Sequence, residues 1–424
     1  MKRIIPLFLA FTALFLSGCF ESRVEKVEYT INEPVTLSVT EFRNSVKVNT
    51  TPRTIEERGK LCLYNGYLYI SEPEVGIHII DNRNPANPQS VGFIELMGNA
   101  DVSIRNDRLY ADSYIDLVWF DLTNPAKPQL INRLEGVFPF ALPPTENDYG
   151  CNYNACHTAF AENQVVVGWK PKKRVEWVER YNGEDMMMPE ASQSGDFLSN
   201  SSGGMSTGVV GSMSRFGLYD SYLYVVMNSQ MTIFNLAGDE PVKVRESFYV
   251  NQDVETIFPY KDYLFLGTPT GMAIYSVANP EEPGYISTVW HIFGCDPVVV
   301  ENDLAYVTIH SDNWCGQNVN QLLIIDVSDV YSPNHLVTYS MKKPKGLGID
   351  NGTLFVCDDG LQVFKVGDPQ QLMANRLVHY SGMEGYDCIP YNNVLMMIAD
   401  DGLYQYDYTD LSRISKLSHL KIGK

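Results

Sequence analysis

The chain has 424 residues, 45% of them apolar and 20% charged, enough to bury a large core and too apolar to stay unfolded. Its formal net charge is −19, and residues 1–18 hold Lys2 and Arg3 but no acid, so the remainder carries −21. A surface this acidic repels phosphate backbones and argues against nucleic acid as a partner.

The N-terminus reads as a basic "MKR", an apolar "IIPLFLAFTALFL" and then "LSGC", Leu16 to Cys19. The apolar run is short for a membrane span and has the layout of an export signal. "LSGC" resembles the bacterial lipoprotein box, and that resemblance implies cleavage after residue 18 and a lipid on Cys19. Phe20 is not the Asp that would favour retention in an inner membrane, so the expected site is the outer membrane. No other stretch is apolar enough to cross a bilayer, which leaves the lipid as the anchor. Residues 19–56 are expected to form a tether, with a short helix in "TLSVTEFRNSV" capped by Ser38 or Thr40.

From residue 57 a pattern repeats. "GIHIIDNRNPANPQSVGFIEL", Gly76 to Leu96, returns about forty residues later as "DLVWFDLTNPAKPQLINRLEG", Asp116 to Gly136. Aligned on a Leu-Tyr strand, seven copies begin at Leu68, Leu109, Leu223, Leu264, Ala305, Leu354 and Leu395. Each has a short apolar strand before it and another after a turn. Asp359-Gly360 and Asp401-Gly402 are hairpin signals, and Asn84-Pro85, Asn124-Pro125, Asn279-Pro280 and Asp368-Pro369 break the chain before a fourth strand. Four antiparallel strands in about forty residues is the signature of a β-propeller blade. The expected fold is therefore all-β, a seven-bladed propeller over residues 57–424, with eight blades if the insertion at 139–213 hides one. "NLAGDEP" and "DYTDLS" replace the Asn-Pro signal in the third and seventh copies.

The "GIHIIDNRNPANP" unit resembles the LVIVD repeat, a propeller family of exported bacterial and archaeal proteins. "GLYQYDY", Gly402 to Tyr408, and "ADSYIDLVWFDLTNP", Ala111 to Pro125, resemble its lipoprotein members. The resemblance implies architecture more than activity.

The insertion has two unlike parts. "NQVVVGWKPKKRVEWVERY", Asn163 to Tyr181, reads as a strand pair or protruding hairpin, and Lys170, Lys172, Lys173 and Arg174 make it the densest basic cluster of an acidic chain. "SQSGDFLSNSSGGMSTGVVGSM", Ser192 to Met213, reads as a Gly/Ser-rich loop. Trp169 and Trp177 beside the basic residues form a candidate partner surface with Lys172, Lys173 and Arg174, or else they cap the apolar side of a blade.

Counting eight residues back from the anchor gives Lys60, Asp101, Arg215, Thr256, Asp296, Gly346 and Asp387, the register that should ring the central channel. Three acids and two bases there point either to a solvated rim, where inner strands hydrogen-bond each other's backbones through Asp, or to a ligand-binding mouth, where the carboxylates take a cation or polar ligand and Lys60 and Arg215 an anion. Catalysis finds no such support. No nucleophile elbow, zinc-binding His pair, Walker loop or dinucleotide fingerprint is present, no pattern calls for a cofactor, and His157, His291 and His310 each stand alone.

Apart from Cys19 there are seven cysteines, and an exported chain permits disulfides. Cys295 with Cys315 and Cys151 with Cys156 are the candidate pairs; Cys151, Cys156 and His157 are alternatively three metal ligands. Cys357 and Cys388 fall on neighbouring blades, and Cys62 reads as a buried free thiol. The functional expectation is a lipid-anchored recognition or scaffold module whose partner is an envelope protein or glycan. An envelope enzyme acting on a polar polymer through Asp101, Asp296 and Asp387 is the alternative.

Overall fold

The computed structural model describes residues 22–139, 141–145, 147–181, 209–227, 229–250, 254, 256–290, 297–310 and 319–423. Seven antiparallel sheets succeed one another along the chain, and their innermost strands are Leu61–Tyr64, Val102–Arg105, Phe216–Tyr219, Thr256–Tyr260, Val298–Glu301, Leu347–Asp350 and Gly385–Tyr391. Each innermost strand contacts that of the next blade, and the last contacts the first, so the sheets close into a seven-bladed β-propeller. Both faces of each blade meet a neighbour, which is why strands such as Tyr67–Glu72 and Gln321–Asp326 are buried at successive residues rather than at alternate ones.

The repeated motif is local turn chemistry. At the end of the third strand Asp81, Asp121, Asp326 and Asp407 each accept the amide two residues on, and three residues later Asn84, Asn124, Asp329 and Asp410 do the same. Two successive Asx turns swing the chain into the fourth strand. The Thr123 and Thr409 hydroxyls and amides hold Asp121 and Asp407 below the usual carboxylate range. The motif also joins blades: Tyr69 and Tyr224 of the Leu-Tyr strands donate to Pro125 O and Pro280 O of the following blade, each at 2.8 Å. Where the motif lapses in the third blade, the outer strand splits into Val242–Lys243 and Phe248–Tyr249; the seventh keeps a regular outer strand, Ser415–Lys421.

Among the described residues, ring closure uses no exchanged strand. A reciprocal amide pair joins the first and last blades, Asn82 Nδ2 to Gln405 Oε1 at 2.9 Å and Gln405 Nε2 to Asn82 Oδ1 at 2.6 Å. Ser418 Oγ donates to Pro85 O and the Gly423 amide to Ile55 O.

Two expectations for the outer segments need correction. Residues 22–38 are not a simple tether: Ser22–Ser38 is a strand paired antiparallel with Gln164–Tyr181 along its whole length. The insertion's basic stretch is therefore one strand of a long ribbon, with the N-terminal segment as its partner, and not a hairpin of its own. At about 3.3 Å per residue the ribbon is roughly 55 Å long. The alternation Val27, Tyr29, Ile31, Val35, Leu37 against Glu28, Thr30, Asn32, Pro34 and Thr36 is the strand signal. Helix Val39–Arg43 follows, its N-cap Ser38 and Glu41 forming a reciprocal capping box. Phe42 is buried against Tyr114 and Leu117 of the second blade, and Arg43 grips Asp116 with two hydrogen bonds of 2.8 and 3.0 Å. Helix Tyr153–Ala161 packs on the same end of the ribbon, so one end is rooted on the ring.

Candidate functional site: the ring axis

The register expected to line a channel does converge on the axis, where it meets a segment of the chain itself. Val209–Val210 pairs with the innermost strand of the first blade, so the end of the insertion enters the ring before the third blade begins. From there the segment is stitched to blade after blade. Gly211 N donates to Leu61 O, Ser212 N to Asp387 Oδ1 at 2.9 Å, and Ser214 O accepts from Ile257 N. The Ser212 hydroxyl donates to Asp387 Oδ1 at 3.0 Å and accepts from Leu347 N at 2.7 Å, while Arg215 N donates to Asp101 Oδ2. Residues 209–215 thus touch the first, second, fourth, sixth and seventh blades.

The carboxylates expected at a mouth are consequently inside. Asp101 and Asp387 are buried, as are Lys60, Arg215 and Thr256. Asp387 Oδ1 accepts a third bond from its neighbour's amide, Cys388 N at 2.9 Å, and its Oδ2 has no hydrogen-bond partner among the described residues. Burial pushes this carboxyl up to about 7. Asp101 accepts Val102 N at 2.7 Å and faces Lys60 Nζ at 3.4 Å; burial brings the Lys60 amine down to about 8. Asp112, also buried, holds the turn into the second blade by accepting Ala100 N, Asp101 N and Asn99 Nδ2, and burial raises it as well. The Arg215 guanidinium lies 4.0 Å from Asp112 Oδ2.

Glycines make the close approach possible. A Cβ on Gly211 would overlap the Asp387 carboxylate, and one on Gly346 would lie 2.6 Å from Asp387 Oδ1 and 2.7 Å from its Cα. Gly346 occupies the charged register because Asp387 of the next blade fills its space. Asp296 does not belong to the register: eight residues before Ala305 is Pro297, and Asp296 lies outside the described residues. The reading missed Ser212, which bonds two blades through one hydroxyl. Its signal was the nearby Arg215, which already placed the end of the insertion on the axis.

The candidate partner surface is spread along the ribbon. Trp169 lies near its root, Nε1 donating to Pro143 O at 2.8 Å and the ring packed beside Cys156, Ala159 and Val166. Arg174 pairs with Glu33, whereas Lys172 and Lys173 are exposed. Trp177 is 70% exposed. The two tryptophans do different things, one packing and one facing solvent.

Cys151 and Cys156 are both unbonded thiols, which corrects the expected disulfide. Cys151 is held beside Asn32 by a β-bridge, and Cys156 is buried on the helix under the ribbon, where desolvation raises its thiol to about 11. Cys357 and Cys388 are buried and hydrogen-bonded to each other without a covalent link, and Cys62 is a buried free thiol. Cys19, Cys295 and Cys315 lie outside the described residues, as does most of the Ser192–Met213 stretch. Among the described residues no group of three or more His, Cys, Asp or Glu side chains is arranged to hold a metal ion, and no helix is long and apolar enough to cross a membrane.

No protein-family model matches the chain, and no curated protein matches it. Among solved structures it is similar to Hsv2 of Kluyveromyces lactis, with 11% identity, TM-score 0.47, and coverage of 88% of this chain and 100% of that one. It is also similar to BamB of Moraxella catarrhalis, with 8% identity, TM-score 0.47, and coverage of 89% and 97%. The computationally designed Ika8 protein gives 7% identity, TM-score 0.48, and coverage of 87% and 89%.

Proposed function

We propose that this chain is a lipid-anchored, non-catalytic recognition or scaffold module of a bacterial cell envelope, of the LVIVD-repeat kind, held in the outer membrane through Cys19. The observation that carries the non-catalytic reading is the filled axis. Asp101 and Asp387, which an enzyme working on a polar polymer would need at an open mouth, are buried and accept backbone amides of their own chain, Asp101 those of Val102 and Arg215 and Asp387 those of Ser212 and Cys388. A carboxylate committed to buried amides of its own chain is placed to hold structure rather than to exchange protons with a substrate.

Binding then falls to the outer surfaces, the propeller faces and the ribbon with the insertion that continues from it. A rigid ring carrying an elaborated insertion suits an envelope protein or glycan partner. The test is cross-linking in intact cells, comparing the natural chain with a deletion of residues 184–207 that spares the axial segment. One protein captured reproducibly by the natural chain and lost with the deletion is the expected result. Equal capture by both forms, or capture of nothing, would contradict a partner surface on the insertion. Loss of acyl labelling in Cys19→Ser checks the anchor separately.

A further inference from the structure

We infer that the free half of the ribbon lies against the phospholipid surface, with Val24, Val175 and Trp177 at the lipid interface; this rests on the reading of Cys19 as the lipidated residue. One end of the ribbon is rooted on the ring through Phe42, Arg43 and helix Tyr153–Ala161. The other end is the pair Ser22 and Tyr181. Cys19 is three residues from Ser22, a reach of at most about 11 Å, so an acyl anchor would tether the free end and not the root.

That free half carries large apolar side chains on one face, interleaved there with the charged positions Lys26, Glu28 and Glu179. Val24, Lys26 and Glu28 alternate along one strand, and the residues opposite Lys26 and Glu28 are Trp177 and Val175. Cross-strand partners share a face, which brings Val24, Trp177 and Val175 together. They are 53%, 70% and 50% exposed. Large apolar side chains so open in a contiguous row mark a docking surface.

Position and chemistry select lipid as the occupant. The free half, residues 22–28 with 175–181, holds three basic and four acidic residues, so the selection rests on its apolar row and on the closeness of Cys19 rather than on charge. Indole favours the headgroup level, where its ring leaves water and its N–H stays hydrated. Standing upright, the ribbon would keep Trp177, four residues beyond Ser22, about 14 Å further from the anchor in water. Lying on the Val24, Val175 and Trp177 face brings it to the interface and holds the ring beside the membrane.

The test uses the full acylated chain in vesicles of phosphatidylethanolamine and phosphatidylglycerol carrying brominated acyl chains. Flotation and tryptophan emission are read on the same samples, for the natural chain and Trp177→Phe. The inference expects co-flotation of both, and quenching of most of the emission that Trp177→Phe removes. Co-flotation with that emission unquenched overturns the docking and leaves the anchor standing, as does self-association through the ribbon that shields Trp177 from bromine. Failure of the natural chain to float overturns the anchor and the docking with it.

Discussion

Replacing Asp387 by alanine removes the acceptor on which Ser212 N, Ser212 Oγ and Cys388 N converge, all inside the ring. Ser212 and Cys388 amides left without a partner cost on the order of 1–3 kcal/mol each, so a loss of roughly 2–6 kcal/mol is expected while the carboxyl is protonated. The cost depends on pH because the folded carboxyl is raised to about 7, above its ordinary value of 3.8. Between those values the folded state binds the proton that the unfolded state has released, so this group's contribution to stability falls as pH rises toward 7 and is flat above it. From pH 5 to pH 8 the natural protein should therefore lose on the order of 3 kcal/mol through Asp387, the worth of the two pH units between 5 and the folded value. Asp387→Ala has no such group, and its deficit against the natural protein should shrink by the same amount over that range. Asp387→Asn keeps an acceptor and carries no charge, so it should be at least as stable as the natural protein at pH 8. Urea denaturation of the three forms at pH 5 and pH 8 measures all of this. A deficit for Asp387→Ala that does not change with pH, or an Asn variant as impaired as the Ala variant at pH 8, would refute the reasoning.

Gly211→Ala drives a methyl group into the same carboxylate and should lower the thermal midpoint, with proteolytic cleavage beginning near residue 211; an unchanged midpoint would mean that the segment is not seated against Asp387. Tyr69→Phe and Tyr224→Phe each remove one bond between neighbouring blades and should cost about 1 kcal/mol each, adding in the double variant because the sites share no partner. Denaturation of the two singles and the double checks this. Lys60→Met should remove one limb of the protein's pH dependence. The folded amine is lowered to about 8 from 10.5, so the natural protein gains stability from this group only as pH rises from about 8 to 10.5, and a pH–stability profile that keeps this rise in the variant would contradict the assignment. Cys156 should resist alkylation until the protein unfolds, because burial keeps its thiol protonated, and thiol labelling followed by peptide mapping reads this directly.

The blades were legible because their signals act over a few residues. An Asp that accepts the amide two positions on, an Asn-Pro three positions later and a Leu-Tyr strand are each complete within one repeat. Even the split outer strand of the third blade was foreshadowed by "NLAGDEP". The axial register was legible for a related reason, since a repeat that places Leu68 and Leu395 equivalently must also place Lys60 and Asp387 equivalently. What the sequence hid was chemistry without a repeat. Ser22–Ser38 finds its partner more than a hundred residues away, and no local rule names that partner; the alternation of Val27, Tyr29 and Ile31 is the one local sign of a strand, and the expected tether passed over it. Gly211 and Ser212 sit in a Gly/Ser-rich run that reads as a loop, and only the carboxylate of a distant blade turns them into a tight crossing. Burial also changed the setting of the charged register, because charges read as a solvated rim or a ligand-binding mouth lie inside the ring, where Asp101 and Asp387 hold the chain's own backbone.

Hydrogen exchange at the Ser212 and Arg215 amides of the natural protein tests the filled axis most directly. These amides donate to Asp387 and Asp101 inside the ring, as Leu347 N of the sixth blade donates to Ser212 Oγ. The account predicts that they exchange as slowly as Leu347, through opening of the ring itself. Exchange within seconds, at the rate of an exposed loop, would mean that the axis is open and that Asp101 and Asp387 are available to a ligand after all.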